Sequence, residues 1–220
     1  AVVVHMCTIK SKGLEFGEKN KELWHWIMPW MLDMDLSKMS FPESYSSITV
    51  NYIKQKYKED KTVIAISPGT PSLTWFDANF RKEAGIHYTD VWITEEHAVA
   101  FISGIAKNWW KPILAIWSPF IQRTYDQLSH DLALNSNPAT ILVTFNGING
   151  WDATHLWIFD IPLISNIPNM VYLAPTTKEE YLAMLDWSVD QTKHPVVIRI
   201  PSGAMVVSGV EDKTDYNILN

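Results

Sequence analysis

The sequence predicts an α/β protein with an open, mostly parallel sheet of six strands and helices on both faces. From about residue 45 onward, short runs rich in β-branched residues alternate with segments whose apolar residues recur at helical spacing. Strands separated in this way pair in parallel through right-handed crossovers. The crossover helices then cover both faces of the sheet.

The elements are expected in a regular order along the chain. "SSITVNYIKQKYKED" predicts the first helix behind a serine cap, and "TVIAIS" predicts the first buried strand. A helix from about Pro71 to Ala84 ends at Gly85 and precedes the strand "YTDVWI". Later helices are predicted over 95–107, 119–135 and 177–191, and later strands over 112–117, 140–145 and 195–200, with "MVYLA" near residue 170.

The first 45 residues have a different character. "VVVHMCTI" predicts a short strand and "KSKG" a turn. Residues 28–45 are rich in Met, Pro and Ser and predict an irregular connector. We therefore expect a domain boundary near residue 45.

Size, charge and cysteine content exclude several classes of protein. The chain has 220 residues, of which 47% are hydrophobic, enough for a sizeable core. Its formal charge of −6 and scattered lysines argue against nucleic acid as a partner. Cys7 is the single cysteine, the opening lacks the features of a secretory signal, and no apolar run is long enough to span a bilayer. We expect a soluble, cytoplasmic protein that binds neither nucleic acid nor membrane.

The turns that follow the strands are where a site is expected, because ligands of open parallel sheets bind beyond the carboxyl ends of the strands. Glu95 and Glu96 lie on one such turn, and two interpretations of them are open. Both carboxylates offset the positive end of the helix dipole, or one points across the sheet edge to bind a ligand and relay protons. His155 lies in the long turn after residue 145 and is a second candidate. The sequence has no metal-spaced histidine and cysteine set, so no metal ligands are predicted.

Four stretches together resemble the thiamine-diphosphate-dependent enzymes of the transketolase type, most closely the 1-deoxy-D-xylulose-5-phosphate synthase family. These are "EEHAVAFISGIA", "KPILAIWSPFIQRTYDQLSHDLAL", "THLWIFDIPLISNIPNMVYLAPTTKEEYLAMLDW" and "HPVVIRIPSG". The resemblance implies a pyrimidine-binding α/β domain over residues 46–205. Residues 1–45 would be the tail of a preceding diphosphate-binding domain with its linker, and 206–220 a linker toward a C-terminal domain absent from these residues.

The resemblance assigns cofactor-binding roles to three residues. In the family, a glutamate at the start of the "E-x-H-A" helix hydrogen-bonds N1′ of the cofactor's aminopyrimidine; Glu95 matches it, and Glu96 matches its solvated neighbour. Phe120 matches the aromatic residue that stacks on the aminopyrimidine, with a core phenylalanine as the alternative. Arg123 matches an arginine near the cofactor and the glutamate, with a surface helix arginine as the alternative.

The substrate pocket is also assigned by resemblance. His155 and His25 match histidines that line it, where imidazoles shuttle protons, so both join Glu95 as predicted catalytic residues. Asp152 lies one position closer to His155 than the family's loop aspartate, and Trp117 replaces a pocket tyrosine. Thiamine diphosphate and Mg²⁺ would be anchored mainly by the G-D-G motif of the diphosphate-binding domain, which these residues lack.

Several positions depart from the family pattern. Ser202 and Asn146 stand where arginines that help hold a substrate phosphate are expected. Four tryptophans stand where relatives tend to carry glycine, a residue that often serves backbone of positive φ. They are Trp92, Trp109, Trp110 and Trp157.

By resemblance, the complete enzyme is a homodimer that decarboxylates pyruvate and transfers the two-carbon unit to an aldehyde such as glyceraldehyde 3-phosphate. Two other hypotheses remain open. The missing diphosphate anchor favours a non-catalytic pyrimidine-type domain or subunit that needs a partner. The absent arginines favour a family member that uses a non-phosphorylated aldehyde acceptor.

Overall fold

The computed structural model describes residues 1–22, 24–25, 29, 32, 42–147, 155 and 158–219. The chain divides into two compact units, Ala1–Pro42 and Glu43–Asn220. In the first unit, α1 (Glu15–Lys19) is an α-helix, and residues 1–9 have no regular secondary structure. The strand predicted from "VVVHMCTI" is therefore wrong. A strand needs a partner strand, and none of the described residues pairs with this run, which is exposed throughout.

The second unit is built on a six-stranded sheet in which every strand pair is parallel. The strands are β1 (Val63–Ser67), β2 (Tyr88–Asp90), β3 (Lys111–Trp117), β4 (Thr140–Asn146), β5 (Val171–Leu173) and β6 (Val196–Pro201). Their spatial order is β2-β1-β3-β4-β6-β5. In the centre of the sheet Ala65 is opposite Ile113, and Leu142 is opposite Ile198. The predicted fold class is confirmed.

Helices cover both faces of this sheet. They are α2 (Tyr45–Glu59), α3 (Ala78–Ala84), α4 (Glu95–Lys107), α5 (Tyr125–Gln127), α6 (Asp160–Ile164) and α7 (Lys178–Asp190). A serine caps α2 as predicted, but it is Ser44, two residues before the predicted stretch: its Oγ accepts from the amide of Ser47, whose Oγ accepts from the amide of Ser44. Among the described residues, no helix is long and apolar enough to cross a membrane.

Two hydrophobic layers follow from the alternation of side chains along the strands. Ala65, Ala115 and Ile198 face one layer, which is completed by α2, α3 and α7. Ile66, Ile116 and Val197 face the other, which is completed by α4, α6 and residues 121–133. Because most residues of β1, β3, β4 and β6 are buried, the register of these strands is fixed from both faces of the sheet, whereas β2 and β5 at its edges are half-buried.

The structure corrects two predicted helices. The helix expected from Pro71 begins only at Ala78, behind an Asp77 cap whose carboxylate accepts from the amide of Phe80. The single helix expected over 119–135 is a succession of a 3-10 turn, Ile121–Thr124, then α5, and then a π-helical segment, Leu128–Ala133. Its buried residues still face the sheet, so the periodicity predicted the burial but not the helix type.

Candidate active site

The chain changes direction across the sheet between β2 and β3. β1 has β2 on one side and β3 on the other, so α4 crosses over β1 to connect them. Such a switch in strand order opens a crevice at the carboxyl ends of the strands, where ligands bind. α4 begins at this edge, and β3 ends there. The start of α4 and the turn after Trp117 therefore line one crevice.

Glu95 is buried at the first position of α4, with 3% of its surface exposed. Arg123 donates a hydrogen bond from Nη1 to Glu95 Oε1 over 2.8 Å. A buried carboxylate is costly unless it is paired, and Arg123 supplies the opposite charge. Among the described residues none is hydrogen-bonded to Glu95 Oε2. This oxygen can therefore accept an N–H donor from a ligand.

An aromatic cluster lies beside this pair at the ends of β3 and β4. Trp117 and Phe120 are nearly parallel, with ring centroids 5.9 Å apart and planes 16° apart. The His155 ring meets both edge-on, at 5.6 Å from Phe120 and 6.2 Å from Trp117. The Arg123 guanidinium lies 5.2 Å from the Phe120 ring centre, so Arg123 touches both the carboxylate and the cluster.

Phe145 extends the cluster toward β6. Its ring packs against Trp117 at 4.7 Å, and its backbone has φ of 58° at an irregularity in the β4–β6 pairing. Left-handed backbone in a bulky residue is strained and is often found beside functional sites. Asn146, the next residue, is buried and donates Nδ2 to the carbonyls of Val143 and Ile200.

A buried charge network supports the sheet beside α6. Asp160 is fully buried at the first position of α6, and its Oδ2 accepts from Arg199 Nε at 2.8 Å and from the Tyr172 hydroxyl at 2.7 Å. Burial and the neighbouring carboxylate raise the pKa of Tyr172, so its hydroxyl remains a donor. This network joins α6 to β5 and β6.

Residues 44–206 match the family described as the transketolase, pyrimidine binding domain. The chain belongs to this family. The match contains Glu95, Phe120, Arg123 and His155, the residues that form the crevice and its aromatic cluster. The predicted resemblance is thereby confirmed at the level of the domain.

Two curated relatives of this chain are both named 1-deoxy-D-xylulose-5-phosphate synthase. The chain is 36% identical over 203 residues to the 1-deoxy-D-xylulose-5-phosphate synthase of Clostridium kluyveri (strain NBRC 12016). It is 31% identical over 205 residues to the protein of the same name from Rhodobacter capsulatus. Both alignments cover 92% of this chain and 32% of the relative. The chain therefore spans about one third of the length of these relatives.

Solved structures share the fold at low sequence identity. A split-gene transketolase, described as an inactive beta4 tetramer, matches with a TM-score of 0.62 at 16% identity, covering 78% of this chain and 56% of that chain. Transketolase from Leishmania mexicana matches with a TM-score of 0.66 at 14% identity, covering 80% of this chain and 28% of that chain. At these identities the likeness shows the fold alone.

The remaining predicted site residues are placed differently. Glu96 is exposed beside buried Glu95, so the two adjacent carboxylates have different environments. His25 belongs to the first unit, where its Nδ1 is 2.8 Å from Lys10 Nζ, and its role in the site stays a prediction. Asp152 and Trp157 lie outside the described residues. Within the part of the chain that the structure describes, no group of three acidic, histidine or cysteine residues could hold a metal ion.

Sequence reasoning missed two contributors to this region. Phe145 reads as an ordinary strand residue, because no sequence signal marks its positive φ. Asp160 had a usable signal, since it is a lone carboxylate within the apolar run "LWIFDIPLI", where an unpaired charge would be costly. The pairing partners Tyr172 and Arg199 are too distant in sequence to have been found from spacing.

Proposed function

We propose that this chain is the pyrimidine-binding part of a thiamine-diphosphate- and Mg²⁺-dependent transferase similar to 1-deoxy-D-xylulose-5-phosphate synthase. The complete enzyme would decarboxylate pyruvate and transfer the two-carbon unit to an aldehyde, of which glyceraldehyde 3-phosphate is the one the resemblance implies. The observation that carries the proposal is buried Glu95, held through Oε1 by Arg123 at the start of α4 in a pyrimidine-binding family.

The residues of the crevice fit an aminopyrimidine. None of the described residues is hydrogen-bonded to Glu95 Oε2, and this oxygen would accept a hydrogen bond from the aminopyrimidine ring. Phe120 would stack on the face of that ring. Arg123 would hold Glu95 in place and keep its charge balanced. When bound, thiamine diphosphate supplies a carbon nucleophile and an electron sink for decarboxylation. Glu95 would hold or release the proton at the pyrimidine nitrogen.

Other residues are assigned to the substrate side of the crevice. His155, edge-on to Phe120 and Trp117, would exchange a proton with the substrate carbonyl oxygen. Trp117 would form the apolar wall of the pocket, while its indole Nε1 donates to the carbonyl of Leu73 at 3.2 Å. His25 and Asp152 remain proposals on the strength of the resemblance alone.

The rest of the enzyme follows from the family pattern. We propose residues 46–205 as the pyrimidine-binding domain, 1–45 as the end of a diphosphate-binding domain with its linker, and 206–220 as a further linker. The cofactor diphosphate and Mg²⁺ would be held mainly by that diphosphate-binding domain. We also propose a cytoplasmic homodimer.

A second function is suggested by one structural neighbour, a split-gene transketolase. In this function the chain would be a pyrimidine-binding subunit that becomes competent only with a separate diphosphate-binding subunit. Co-purification with a polypeptide that carries a G-D-G motif supports this function.

Calorimetric titration of thiamine diphosphate with Mg²⁺ tests the proposed function. We expect binding by the complete protein, or by this chain mixed with the diphosphate-binding polypeptide, and no measurable binding by this chain alone. Pyruvate should then be consumed only by the assembled form. An assembled protein that neither binds the cofactor nor consumes pyruvate would contradict the proposal.

A further inference from the structure

The turn that leads into α4 lies against the turn that follows β1. Residues 91–94 form it and connect β2 to Glu95. Of the Trp92 surface 77% is exposed, and of the Ile93 surface 76%. Packing in the core therefore does little to fix this turn, although the position of Glu95 depends on it.

Asp90, the last residue of β2, binds both turns through one carboxylate oxygen. Its Oδ1 accepts from the amide of Gly69 at 2.8 Å and from the amide of Trp92 at 2.9 Å. Hydrogen bonds from backbone amides to a carboxylate are charge-assisted and are stronger than those between neutral groups. One side chain thus ties the turn after β1 to the turn before α4.

Gly69 allows the two turns to approach each other closely. Its φ is 71°, in the left-handed region. A Cβ atom on Gly69 would lie 2.7 Å from the amide nitrogen of Ile93 and 2.8 Å from the carbonyl carbon of Trp92. Because both of these atoms belong to the backbone, a side chain at position 69 would push the turn before α4 out of place.

Hydrogen bonds within the turn carry this constraint to the start of α4. The amide of Thr94 donates to the carbonyl of Trp92 at 2.8 Å, and its hydroxyl donates to the carbonyl of Val91 at 2.6 Å. Thr94 directly precedes Glu95. The backbone of Glu95 is therefore held through the turn, while its carboxylate is held by Arg123.

We propose that Asp90 is a positioning residue that acts on the reaction through Glu95, and that Gly69 is the close-packed partner the turn needs. The inference rests on the proposed cofactor role of Glu95 and adds the residues that set where its backbone lies. Misplacement of a reacting group by about 1 Å can cost about 10²-fold in rate. Asp90 therefore affects the reaction although it lies outside the aromatic cluster.

A double-mutant cycle in the complete enzyme tests whether Asp90 acts through Glu95. We expect Asp90→Ala to lower kcat about tenfold in the wild-type background and less than about twofold in the Glu95→Gln background. Asp90→Asn keeps an oxygen that accepts from both amides, so it should recover part of the loss. An equal loss in the two backgrounds would indicate a general structural effect and would overturn the inference.

A pair of glycine variants tests the position of the turn independently of catalysis. Gly69→Ala and Gly209→Ala add the same methyl group at φ of 71° and 69°, but at position 209 no atom of the described residues lies within 4 Å of it. We expect Gly69→Ala to weaken the binding of thiamine diphosphate about tenfold in calorimetric titration, and Gly209→Ala to leave it unchanged. Hydrogen exchange of the Trp92 amide should become faster in Gly69→Ala and in Asp90→Ala. Equal cofactor affinities in the two glycine variants would contradict the positioning role.

The outcomes separate this inference from the proposed function. If the complete enzyme binds thiamine diphosphate and loses activity in Glu95→Gln, but Asp90→Ala and Gly69→Ala behave like wild type, the positioning role is wrong and the proposed function stands. A complete enzyme that binds no thiamine diphosphate removes the proposed function, and Asp90 then has no reaction on which to act.

Discussion

The Arg123 guanidinium binds the Glu95 carboxylate across 2.8 Å, although the two residues are 28 positions apart in the sequence. The guanidinium side chain is 55% exposed, whereas only 4% of the Glu95 side chain is exposed. The charge is thus buried on one partner and solvated on the other. Arg123 binds Oε1, and none of the described residues is hydrogen-bonded to Oε2.

Replacement of Glu95 tests its assignment as the proton-exchanging residue. We expect Glu95→Gln in the complete enzyme to lower kcat by about 10²- to 10⁴-fold, because the amide cannot take up a proton. The matched control is Glu96→Gln, which changes an exposed carboxylate one position away and should leave kcat unchanged. Steady-state kinetics and circular dichroism of both variants measure activity and fold. Equal activities in the two variants would remove Glu95 from the mechanism.

Replacement of Arg123 tests its positioning role. Arg123→Met leaves the buried Glu95 carboxylate without its partner, so we expect a loss of about 1–3 kcal/mol in the free energy of unfolding and weaker cofactor binding. Arg123→Lys keeps the charge but loses the planar fork, and should lie between wild type and Arg123→Met. Urea unfolding and cofactor titration provide the two readouts. If Arg123→Met had the wild-type unfolding free energy and the wild-type cofactor affinity, the ion pair would contribute to neither stability nor binding.

Trp109 occupies the position after the end of α4 that usually belongs to glycine. Its φ is 66°, its amide donates to the carbonyl of Ala106, and the amide of Trp110 donates to the carbonyl of Ile105. This is the hydrogen-bond pattern of a Schellman motif. Because Trp109 is 79% exposed, little packing offsets the left-handed strain. We expect Trp109→Gly to stabilise the fold by about 1 kcal/mol in urea unfolding.

Two further variants control that prediction. Trp92 has φ of 62° and is 77% exposed, so Trp92→Gly should stabilise for the same reason. Trp110 lacks the left-handed backbone, so Trp110→Gly should give no such gain. Gains of equal size at Trp110 and Trp109 would mean that backbone strain is not the cause.

Replacement of Asp160, the shared acceptor of the charge network beside α6, is expected to lower stability strongly. Asp160→Ala leaves Arg199 and Tyr172 without their shared acceptor, and we expect a cost of about 3–5 kcal/mol. Tyr172→Phe removes only one donor and should cost about 1–2 kcal/mol. Thermal and denaturant unfolding of the two variants compare these losses. Similar small effects for both would show that Asp160 is not the centre of the network.

The lowered pKa of Asp60 predicts how the free energy of unfolding changes at acid pH. Hydrogen bonds from the Thr62 hydroxyl and amide, with Lys111, lower the pKa of Asp60 to about 2 from its ordinary value of 3.8. A carboxyl whose pKa is lowered by folding stabilises the protein fully above its ordinary pKa and loses that contribution as the pH falls toward 2. Asp60→Asn should therefore flatten this part of the curve of unfolding free energy against pH. A curve identical to that of wild type would contradict the assignment.

The sequence predicted the elements whose signals are local. The serine cap of α2 and the start of α4 at Glu95 depend on residues within one turn. The start of α4 is confirmed, and the cap is a serine, Ser44, two residues before the predicted stretch. The helix type over residues 121–133 was not predictable, because 3-10, α and π segments bury the same apolar stripe.

The site was predictable only in part, because its contacts join distant segments. The assignment of Glu95 and Arg123 to one site came from resemblance, and no spacing rule relates two residues that meet through the switch in strand order. Phe145 was missed because its φ of 58° arises from the β4–β6 irregularity and has no local sequence signature. The surroundings of Asp160 depend on β5 and β6, which follow it in the chain.

The left-handed tryptophans bear on how the gene for this protein is read. One codon, UGA, specifies tryptophan in some genetic systems and glycine in others. At Trp75, Trp92 and Trp109 the backbone already has the shape that glycine adopts without strain, with φ of 75°, 62° and 66°. A gene with UGA at these codons, translated in a cell that reads UGA as glycine, would produce a chain relieved of all three strains. Peptide masses of the protein from its native cell would identify the residue at each position.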